Sequence, residues 1–435
     1  MTSTTCARLS RKLLPISAAA VSLILAAGVL GAAPEGQDWP QWRGPNADGV
    51  WKEQGLLAKF SQPDLPIKWR APISNGYSGP TVAKGRVYVT DRVVEPTEQE
   101  RVLCLDAETG KELWKHAYAA EYKGIGYANG PRAAVTVNDG RAYALGAMGA
   151  FLCFNAADGK VHWSKDLNTA YRIRMPTWGI SAAPVVHGDS VILHIGGSDG
   201  ACFVALDRKT GAERWKAIAD APGYAPPVLT EQAGQPVLVC WSANQLAGLD
   251  PRTGKVHWTF EFPARVNVDS VATPVIAGER LFVSAFYEGS LMLRLPKDQL
   301  TVEKIWQRRG ASELATDALH SLIPTPILDG EQVYGIDSFG ELRGLDAKTG
   351  ERLWLSQEAV PRARFATAHL VKNGDKTWIF NEKGQLLITR LTPAGRGDTE
   401  PHAAPEADQG PVFGARGSVL VSPGFCVSPR VCAER

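Results

Sequence analysis

The stretch Leu105 to Trp114, LDAETGKELW, decides the fold of this chain because the same pattern returns four more times. The copies are FNAADGKVHW at 154–163, LDRKTGAERW at 206–215, LDPRTGKVHW at 249–258 and LDAKTGERLW at 345–354. A degenerate copy ends at Trp306, and an isolated Trp69 precedes the first copy by about one period. Successive tryptophans of this series are 43 to 52 residues apart, which predicts one repeated supersecondary unit.

The repeated decapeptide has the residue types of a tight hairpin turn followed by a strand. Its Asp or Asn can accept hydrogen bonds from N–H groups of the turn, and its Gly supplies the positive φ that closes the hairpin. An indole on a half-exposed outer strand requires cover from a neighbouring unit. We therefore predict that seven tryptophans dock one unit on the next: Trp69, Trp114, Trp163, Trp215, Trp258, Trp306 and Trp354.

Each unit opens with a small residue and a proline, an apolar strand, a short turn containing Gly and a second apolar strand. Residues 79–89 and 183–193 are examples. Together with the strand that carries the Asp and the strand that carries the Trp, this predicts a four-stranded antiparallel meander. Four strands in a period of roughly 40 to 50 residues are typical of a β-propeller blade, so the expected fold is all-β.

The number of blades depends on the two ends of the chain. Six units end at tryptophans, a seventh runs from Ala366 to about Pro393, and the opening of a unit reappears at 410–421 without a Trp strand. The Trp69 strand would complete that last unit, so we predict an eight-bladed propeller whose ring is closed by an N-terminal strand. Seven blades are the alternative, because residues 394–435 fit the repeat poorly and could be a disordered tail.

The N-terminus differs from the rest of the chain. Arg8, Arg11 and Lys12 precede an apolar run from Leu13 to Leu30, which predicts a secretory signal peptide over residues 1–33, with a retained membrane anchor as the alternative. Residues 34–59 are expected to form an extended segment, and residues 60–435 the propeller. The protein is therefore expected to be exported, in a periplasmic or other extracytoplasmic location.

Charge and cysteine content exclude some classes of partner and framework. The formal net charge is +2, and it falls to about −1 without residues 1–33, so nucleic acid is not an expected partner. Cys104 and Cys153 share a repeat position that other units fill with Ala or Gly, which predicts packing residues where adjacent sheets meet. The pairs Cys202 with Cys240 and Cys426 with Cys432 remain open as disulfides.

The Leu-Asp-x-x-Thr-Gly-x-x-x-Trp repeats resemble the pyrroloquinoline-quinone (PQQ) repeats of bacterial quinoprotein dehydrogenases and of their non-enzymatic relatives. Those relatives include the propeller lipoprotein of the outer-membrane β-barrel assembly machinery. The sequence WPQWRGP at 39–45 is similar to the opening of many exported PQQ-like propeller proteins. The resemblance covers about residues 38–393. It implies either a PQQ- and calcium-dependent dehydrogenase of alcohols or sugars, or a scaffold for a protein partner in the cell envelope.

The sequence favours the non-catalytic alternative, without a cofactor or a metal. It has no adjacent Cys pair, and no cluster matches the calcium-binding Glu, Asn and Asp or the catalytic Asp of the dehydrogenases. It also has no Gly-rich phosphate loop, His-x-x-x-His pair or nucleophile elbow. A role in outer-membrane protein assembly is compatible with the resemblance, although no cysteine for lipid attachment follows the apolar run.

The segments that lead from the outer strand of one unit to the inner strand of the next are the candidate binding site, because they line one mouth of a propeller channel. Four arginines in these segments could converge on an anionic or peptide-like ligand, or each could tie its own loop to a neighbouring blade. The candidate residues are Tyr77, Asn129, Arg132, Arg174, Trp178, Arg265, Asn267, Asp269, His320 and Arg364.

Overall fold

A computed structural model describes Met1, residues 38–56 and 68–397, and the backbone of two strands at 402–403 and 417–421. The predicted signal peptide and the pair Cys426 and Cys432 lie outside these residues. Clustering of contacts separates residues 1–35 from a compact unit of residues 36–435, which contains all the elements described below. In the described ranges, no helix has both the length and the apolar character needed to cross a membrane.

The compact unit consists of consecutive antiparallel sheets, and strands succeed one another within each sheet in chain order. The first strand, β1 (Trp69–Ile73), belongs to the last sheet. Seven four-stranded sheets, blades A to G, follow. Blade A contains β2 (Thr81–Ala83), β3 (Arg86–Val93), β4 (Gln99–Asp106) and β5 (Glu112–Ala119); blade B contains β6 (Thr136–Asn138), β7 (Arg141–Leu145), β8 (Ala150–Asn155) and β9 (Val161–Asp166).

A single short helix, α1 (Leu167–Tyr171), is the only helix in the described residues and follows blade B. The remaining blades are as follows. Blade C contains β10 (Val185–His187), β11 (Ser190–Gly197), β12 (Ala201–Asp207) and β13 (Glu213–Ala217); blade D contains β14 (Val228–Gln232), β15 (Gln235–Trp241), β16 (Gln245–Leu249) and β17 (Val256–Glu261); blade E contains β18 (Val275–Ala277), β19 (Arg280–Ala285), β20 (Gly289–Arg294) and β21 (Glu303–Arg308). Blade F contains β22 (Ile327–Asp329), β23 (Gln332–Ile336), β24 (Leu342–Asp346) and β25 (Arg352–Ser356); blade G contains β26 (Ala368–Asn373), β27 (Lys376–Asn381), β28 (Gln385–Thr389) and β31 (His402–Ala403), and a small hairpin of β29 (Leu391–Thr392) and β30 (Gly395–Arg396) lies between the last two in sequence.

The eighth sheet, blade H, joins the two ends of the chain. Strand β1 pairs antiparallel with β32 (Gly417–Val421), so that Trp69 is opposite Val421 and Ile73 is opposite Gly417. These two strands are the described part of blade H. The pairing confirms the predicted eight-bladed ring and its closure by an N-terminal strand.

The decapeptide forms the predicted turn. In the first copy, Asp106 Oδ1 accepts hydrogen bonds from the Thr109 hydroxyl and the Thr109 backbone N–H, both at 2.8 Å. These bonds favour the charged carboxylate and hold the pKa of Asp106 below its usual range. Gly110 has a φ of 69°, in the left-handed region that suits Gly.

Most of the repeat tryptophans form a hydrogen bond to the next blade. Trp114 Nε1 donates to the carbonyl oxygen of Ala156 in blade B at 3.1 Å. A Cβ on Gly159, the turn glycine of blade B, would lie 2.6 Å from the Trp114 ring, so this glycine is required for space as well as for its φ of 72°. The same bond, to the residue after the turn Asp of the next blade, is made by Trp69, Trp163, Trp215 and Trp306. Trp354 instead donates to Thr392 in the β29–β30 hairpin.

Trp258 is the exception, because the next unit carries the degenerate copy of the decapeptide. Its Nε1 donates to Gln232 Oε1 at 2.9 Å within blade D. The Gln232 side-chain amide in turn donates across the interface to the carbonyl oxygen of Thr301 at 2.9 Å. The buried Gln232 therefore replaces the missing turn as the connection between blades D and E.

The small residue before the decapeptide lies opposite the repeat tryptophan of its own blade. Cys104 pairs with Trp114, and Cys153 with Trp163, on adjacent strands of the same blade. A Cβ on Gly248, at the same position in blade D, would overlap the ring of Trp258. The position is therefore small beside the indole of its own blade, and Cys104 and Cys153 also belong to buried clusters that include residues of the next blade. Both cysteines are buried free thiols, and so are Cys202 and Cys240.

Candidate functional site

The N-terminal segment (residues 38–56) lies along the inner edges of the innermost strands. Trp39 and Val82 of β2 exchange backbone hydrogen bonds of 2.8 and 2.9 Å, and the carbonyl oxygen of Pro40 accepts from Val137 of β6 at 2.7 Å. Further along, Trp51 N donates to the carbonyl oxygen of Lys372 in β26 at 2.7 Å. The segment therefore connects blades A and B with blade G across the central channel.

Trp42, in the middle of this segment, spans part of the channel. Its Nε1 donates to Thr273 Oγ1 next to blade E at 2.9 Å, and its ring meets the His369 ring of blade G edge-on, with centroids 6.2 Å apart. The neighbouring Arg43 side chain is buried and donates to the carbonyl oxygen of Asp48 at 2.7 Å, which holds the segment in a tight turn. Burial lowers the pKa of Arg43 to about 10.

A cavity of about 510 Å³ adjoins Trp42, and we call it the channel-mouth cavity. Most of its lining comes from the segments that lead from the outer strand of one blade to the inner strand of the next. These are the segments in which the sequence predicted a binding site. Its aromatic lining consists of Trp42, Tyr77, Tyr127, Trp178, Tyr224 and Phe365. Its charged and titratable lining consists of Arg132, Arg364, His369, Glu382 and Lys383.

Four of the ten predicted site residues line this cavity: Tyr77, Arg132, Trp178 and Arg364. A fifth, Asn129, donates its side-chain amide to the Tyr77 hydroxyl at 3.0 Å. The other five are not part of the lining. Arg174, Arg265 and Asn267 are exposed, whereas Asp269 and His320 are buried.

Two of the four arginines, Arg132 and Arg364, line the same cavity, whereas Arg174 and Arg265 are not part of its lining. Arg132 donates to the carbonyl oxygens of its own loop, Gly130 at 2.6 Å and Tyr127 at 2.7 Å. Arg364 forms an ion pair with Glu313 at 2.6 Å, and Arg265 is 3.5 Å from Glu288. Loop carbonyls and carboxylates thus already occupy guanidinium groups that an anion would need. This agrees with the alternative interpretation of the sequence, in which each arginine holds its own loop in place.

The two buried candidates serve the loops that surround the mouth. Asp269 accepts a 2.7 Å hydrogen bond from the Tyr287 N–H, and burial raises the pKa of Asp269 to about 7. His320 Nε2 accepts from the Gly310 N–H at 3.1 Å, and its Nδ1 lies 2.9 Å from the Phe286 carbonyl oxygen. Both ring nitrogens of His320 are therefore engaged within the protein.

Sequence reasoning missed His369, Glu382, Lys383 and Trp42 as cavity residues. His369 lies in the innermost strand of blade G, and Glu382 and Lys383 lie in the turn between β27 and β28. Neither location is a segment between blades, which is where the candidates were sought. For Trp42 a signal existed, because this tryptophan belongs to no repeat.

His194 holds one wall of the cavity and predicts a dependence of stability on pH. It is buried, its Nε2 accepts from the Gly223 N–H at 3.0 Å, and its Nδ1 lies 2.9 Å from the Ala225 carbonyl oxygen. These two residues flank Tyr224. Burial lowers the pKa of His194 from 6.5 to about 4, because the charged imidazolium would lose its hydration.

Because the pKa in the folded state lies below the unfolded value, this contribution to stability is complete above about pH 6.5 and is lost as the pH falls toward 4. We expect His194 to account for a loss of about 2 kcal/mol in the free energy of unfolding between pH 7 and pH 5. Urea unfolding of the wild type and of His194→Gln at several pH values measures it. Equal pH dependence in the two proteins would contradict the assignment.

A propeller of eight blades built from PQQ-like repeats, with a segment across its channel, defines the class of protein. A family model described as outer membrane protein assembly factor BamB matches residues 50–242 and 204–422. The chain belongs to this family.

Known relatives agree with this assignment. The chain is 25% identical over 227 residues to the outer membrane protein assembly factor BamB of Moranella endobia, which covers 50% of this chain and 55% of the relative. It spans about half the length of the first curated relatives that it matches. Among solved structures, BamB from Moraxella catarrhalis superposes with a TM-score of 0.53 and 16% identity, over 76% of this chain and 92% of that one. A quinohemoprotein alcohol dehydrogenase from Comamonas testosteroni superposes with a TM-score of 0.56 and 14% identity, over 91% of this chain and 74% of that one. The two structures therefore support the same fold.

Proposed function

We propose that this protein is an exported, non-catalytic scaffold that binds a protein partner during outer-membrane protein assembly. The observation that supports this most strongly is the match of the BamB family model along the propeller. The site contributes a second argument. The arginines predicted as ligand-binding residues hold loops together instead. Binding is therefore expected on surfaces that the blades position.

The outermost strands of blades E and F each carry exposed apolar side chains that such a partner could contact. Ile305 of β21 is 41% exposed, and Leu353 and Leu355 of β25 are 44% and 49% exposed. Ile305 and Leu353 each stand directly before a repeat tryptophan. Blades B, C and D have polar residues at this position, namely His162, Arg214 and His257.

The position of these strands suits strand addition. Strands β21 and β25 are the terminal strands of their four-stranded sheets. An outer strand can accept an extended segment of another protein through main-chain hydrogen bonds, while side chains at alternate positions supply specificity. Leu353 and Leu355 have this alternate spacing. We therefore place the partner-binding surface at Ile305, Leu353 and Leu355.

Replacement of both Leu353 and Leu355 by Glu is expected to weaken partner binding at least about tenfold, since charge replaces apolar contact at the centre of the surface. The measurement is co-purification of tagged protein with the outer-membrane assembly machinery of the native cell, quantified by mass spectrometry. Leu113→Glu is the matched control, because Leu113 has the same strand position in blade A and is 46% exposed. Undiminished recovery with the double variant would refute this surface, and absence of the machinery from the wild-type sample would refute the function.

A PQQ- and calcium-dependent dehydrogenase is the alternative function, and its fold is shared. The metal-ligating side chains of the described residues do not suit a calcium site, however. In the described ranges, no group of three or more His, Cys, Asp or Glu side chains could hold a metal ion, and the cavity lining contains one carboxylate, Glu382. Addition of PQQ and calcium tests it directly. A quinone absorption band together with dye-linked oxidation of an alcohol or a sugar would favour the enzyme over the scaffold.

A further inference from the structure

Several aromatic side chains line the channel-mouth cavity, and we call them its aromatic wall. Tyr77, Trp178 and Tyr224 come from segments between different blades, and Trp178 and Tyr224 have ring centroids 4.9 Å apart with planes at 37°. The Arg132 guanidinium lies 5.0 Å from the centre of the Tyr77 ring. These rings give the cavity large, flat, weakly polar surfaces.

The wall is held in place before any ligand arrives. The backbone N–H groups of Tyr224 and Ala225 both donate to the carbonyl oxygen of Ser270 at 2.9 Å. His194 fixes the two residues on either side of Tyr224, as described above. A rigid wall lowers the entropic cost of binding, which favours a ligand that stacks on preformed surfaces.

Blade G contributes polar groups of both kinds to the same cavity. Glu382 Oε2 accepts from the Thr367 N–H at 3.1 Å, and its other oxygen is available. Within the part of the chain that the structure describes, the Lys383 ammonium and the His369 ring have no hydrogen-bond partner. One Glu382 oxygen, the Lys383 ammonium and the His369 ring therefore line the cavity without a hydrogen-bond partner among the described residues.

The two arginines that line the cavity are already engaged within the protein, which argues against a polyanion. Arg364 is paired with Glu313, and Lys383 is adjacent to Glu382 in the chain. Arg132 is occupied by loop carbonyls. A ligand with several negative charges would meet one cation without an ion-pair partner among the described residues, Lys383, and the Glu382 carboxylate in the same lining.

We propose that the channel-mouth cavity binds a neutral carbohydrate of one or two pyranose rings. A pyranose has an apolar face of C–H groups, which suits the aromatic lining around Trp178, and hydroxyl groups that both donate and accept. Glu382 would accept from hydroxyl groups, Lys383 would donate to them, and His369 can do either. The cavity volume of about 510 Å³ lies within the range of small-molecule sites. This site is separate from the partner-binding surface on blades E and F.

Isothermal titration calorimetry of the purified protein tests the proposal, with glucose, N-acetylglucosamine, maltose and cellobiose as probes and a glycan array to widen the panel. Glucose 6-phosphate and trialanine represent an anion and a peptide. We expect saturable binding of a neutral saccharide, weakened at least about tenfold by Trp178→Ala and by Glu382→Gln. Leu113→Ser, on the outer strand of blade A, should bind as the wild type does.

Three results would overturn the proposal: no binding of any neutral glycan, binding of the anion or the peptide alone, or full affinity in both cavity variants. Glu382→Gln preserves the size of the side chain, so it remains informative if Trp178→Ala fails to fold. Co-purification with the assembly machinery should be unchanged in Glu382→Gln. The calorimetry therefore tests carbohydrate binding separately from the co-purification, which tests partner binding.

Discussion

Replacement of Trp69 by Ala is expected to lower the free energy of unfolding of the whole propeller by about 3–5 kcal/mol. Trp69 is 9% exposed, and its Nε1 donates to the Ala107 carbonyl oxygen of blade A at 3.0 Å. Its ring covers Gly110, where a Cβ would overlap the indole. Because blade H joins the two chain ends, the substitution weakens ring closure as well as one contact between blades.

Urea unfolding followed by circular dichroism measures this loss. Trp178→Ala is the matched control, since it makes the same chemical change in a half-buried tryptophan outside the repeat series. We expect the control to lose less than half as much stability. A Trp69 variant as stable as the control would show that closure contributes little.

The register of blade H supplies a second test of closure. Arg70 and Leu420 are partners in the β1–β32 pairing, and register partners lie close enough for a disulfide when both are replaced by Cys. The cross-link is expected to form on oxidation and to stabilise the fold by up to about 4 kcal/mol, because it constrains a long loop. Arg70→Cys alone is the control. If the double variant forms no cross-link, this register is wrong.

Replacement of Arg343 by Leu is expected to cost about 3–5 kcal/mol, because it leaves a buried charge without its partner. Arg343 is 3% exposed, and its Nη1 lies 2.9 Å from Oδ1 of Asp337, which is equally buried. The guanidinium also donates to the Ala318 carbonyl oxygen and to the Thr316 hydroxyl. Asp337 in turn accepts from the His320 N–H at 2.7 Å, so the network holds the loop between blades E and F.

Thermal and urea unfolding measure the effect, and a double variant identifies its cause. Adding Asp337→Asn removes the unpaired charge while an amide oxygen still accepts from His320, so part of the stability should return. Arg214→Leu is the control, because its ion pair with Asp207 is partly solvent-accessible and is therefore expected to contribute less than the buried pair. No recovery in the double variant would mean that lost packing, rather than unpaired charge, dominates.

Much of the fold could be predicted because the repeat is built from local chemistry. The turn bonds of Asp106 join residues within three positions of one another, and the spacing of Trp114 from that turn is constant. The role of Gln232 could not be predicted in the same way. It lies outside the decapeptide and bonds to a carbonyl 69 residues away, where the turn that usually receives the tryptophan is absent.

The candidate site shows the same division. Tyr77, Arg132, Trp178 and Arg364 were found because loops between blades must face one mouth of a ring. Convergence of the arginines could not be read from those loops, because a guanidinium binds whichever acceptor lies nearest. For Arg132 the acceptors are carbonyls of its own loop, and for Arg364 the acceptor is Glu313 from the preceding loop.

By itself the sequence determined the blade, the turn, the docking tryptophans and the strand that closes the ring, since each follows from a short pattern repeated at a regular period. Only the tertiary structure decided what the channel contains. Trp42 adjoins the cavity, and Glu382 and Lys383 from a hairpin turn join aromatic residues of distant loops. Residues so far apart in the chain meet because a closed ring brings all its blades to one axis, and no local pattern records which side chains meet there.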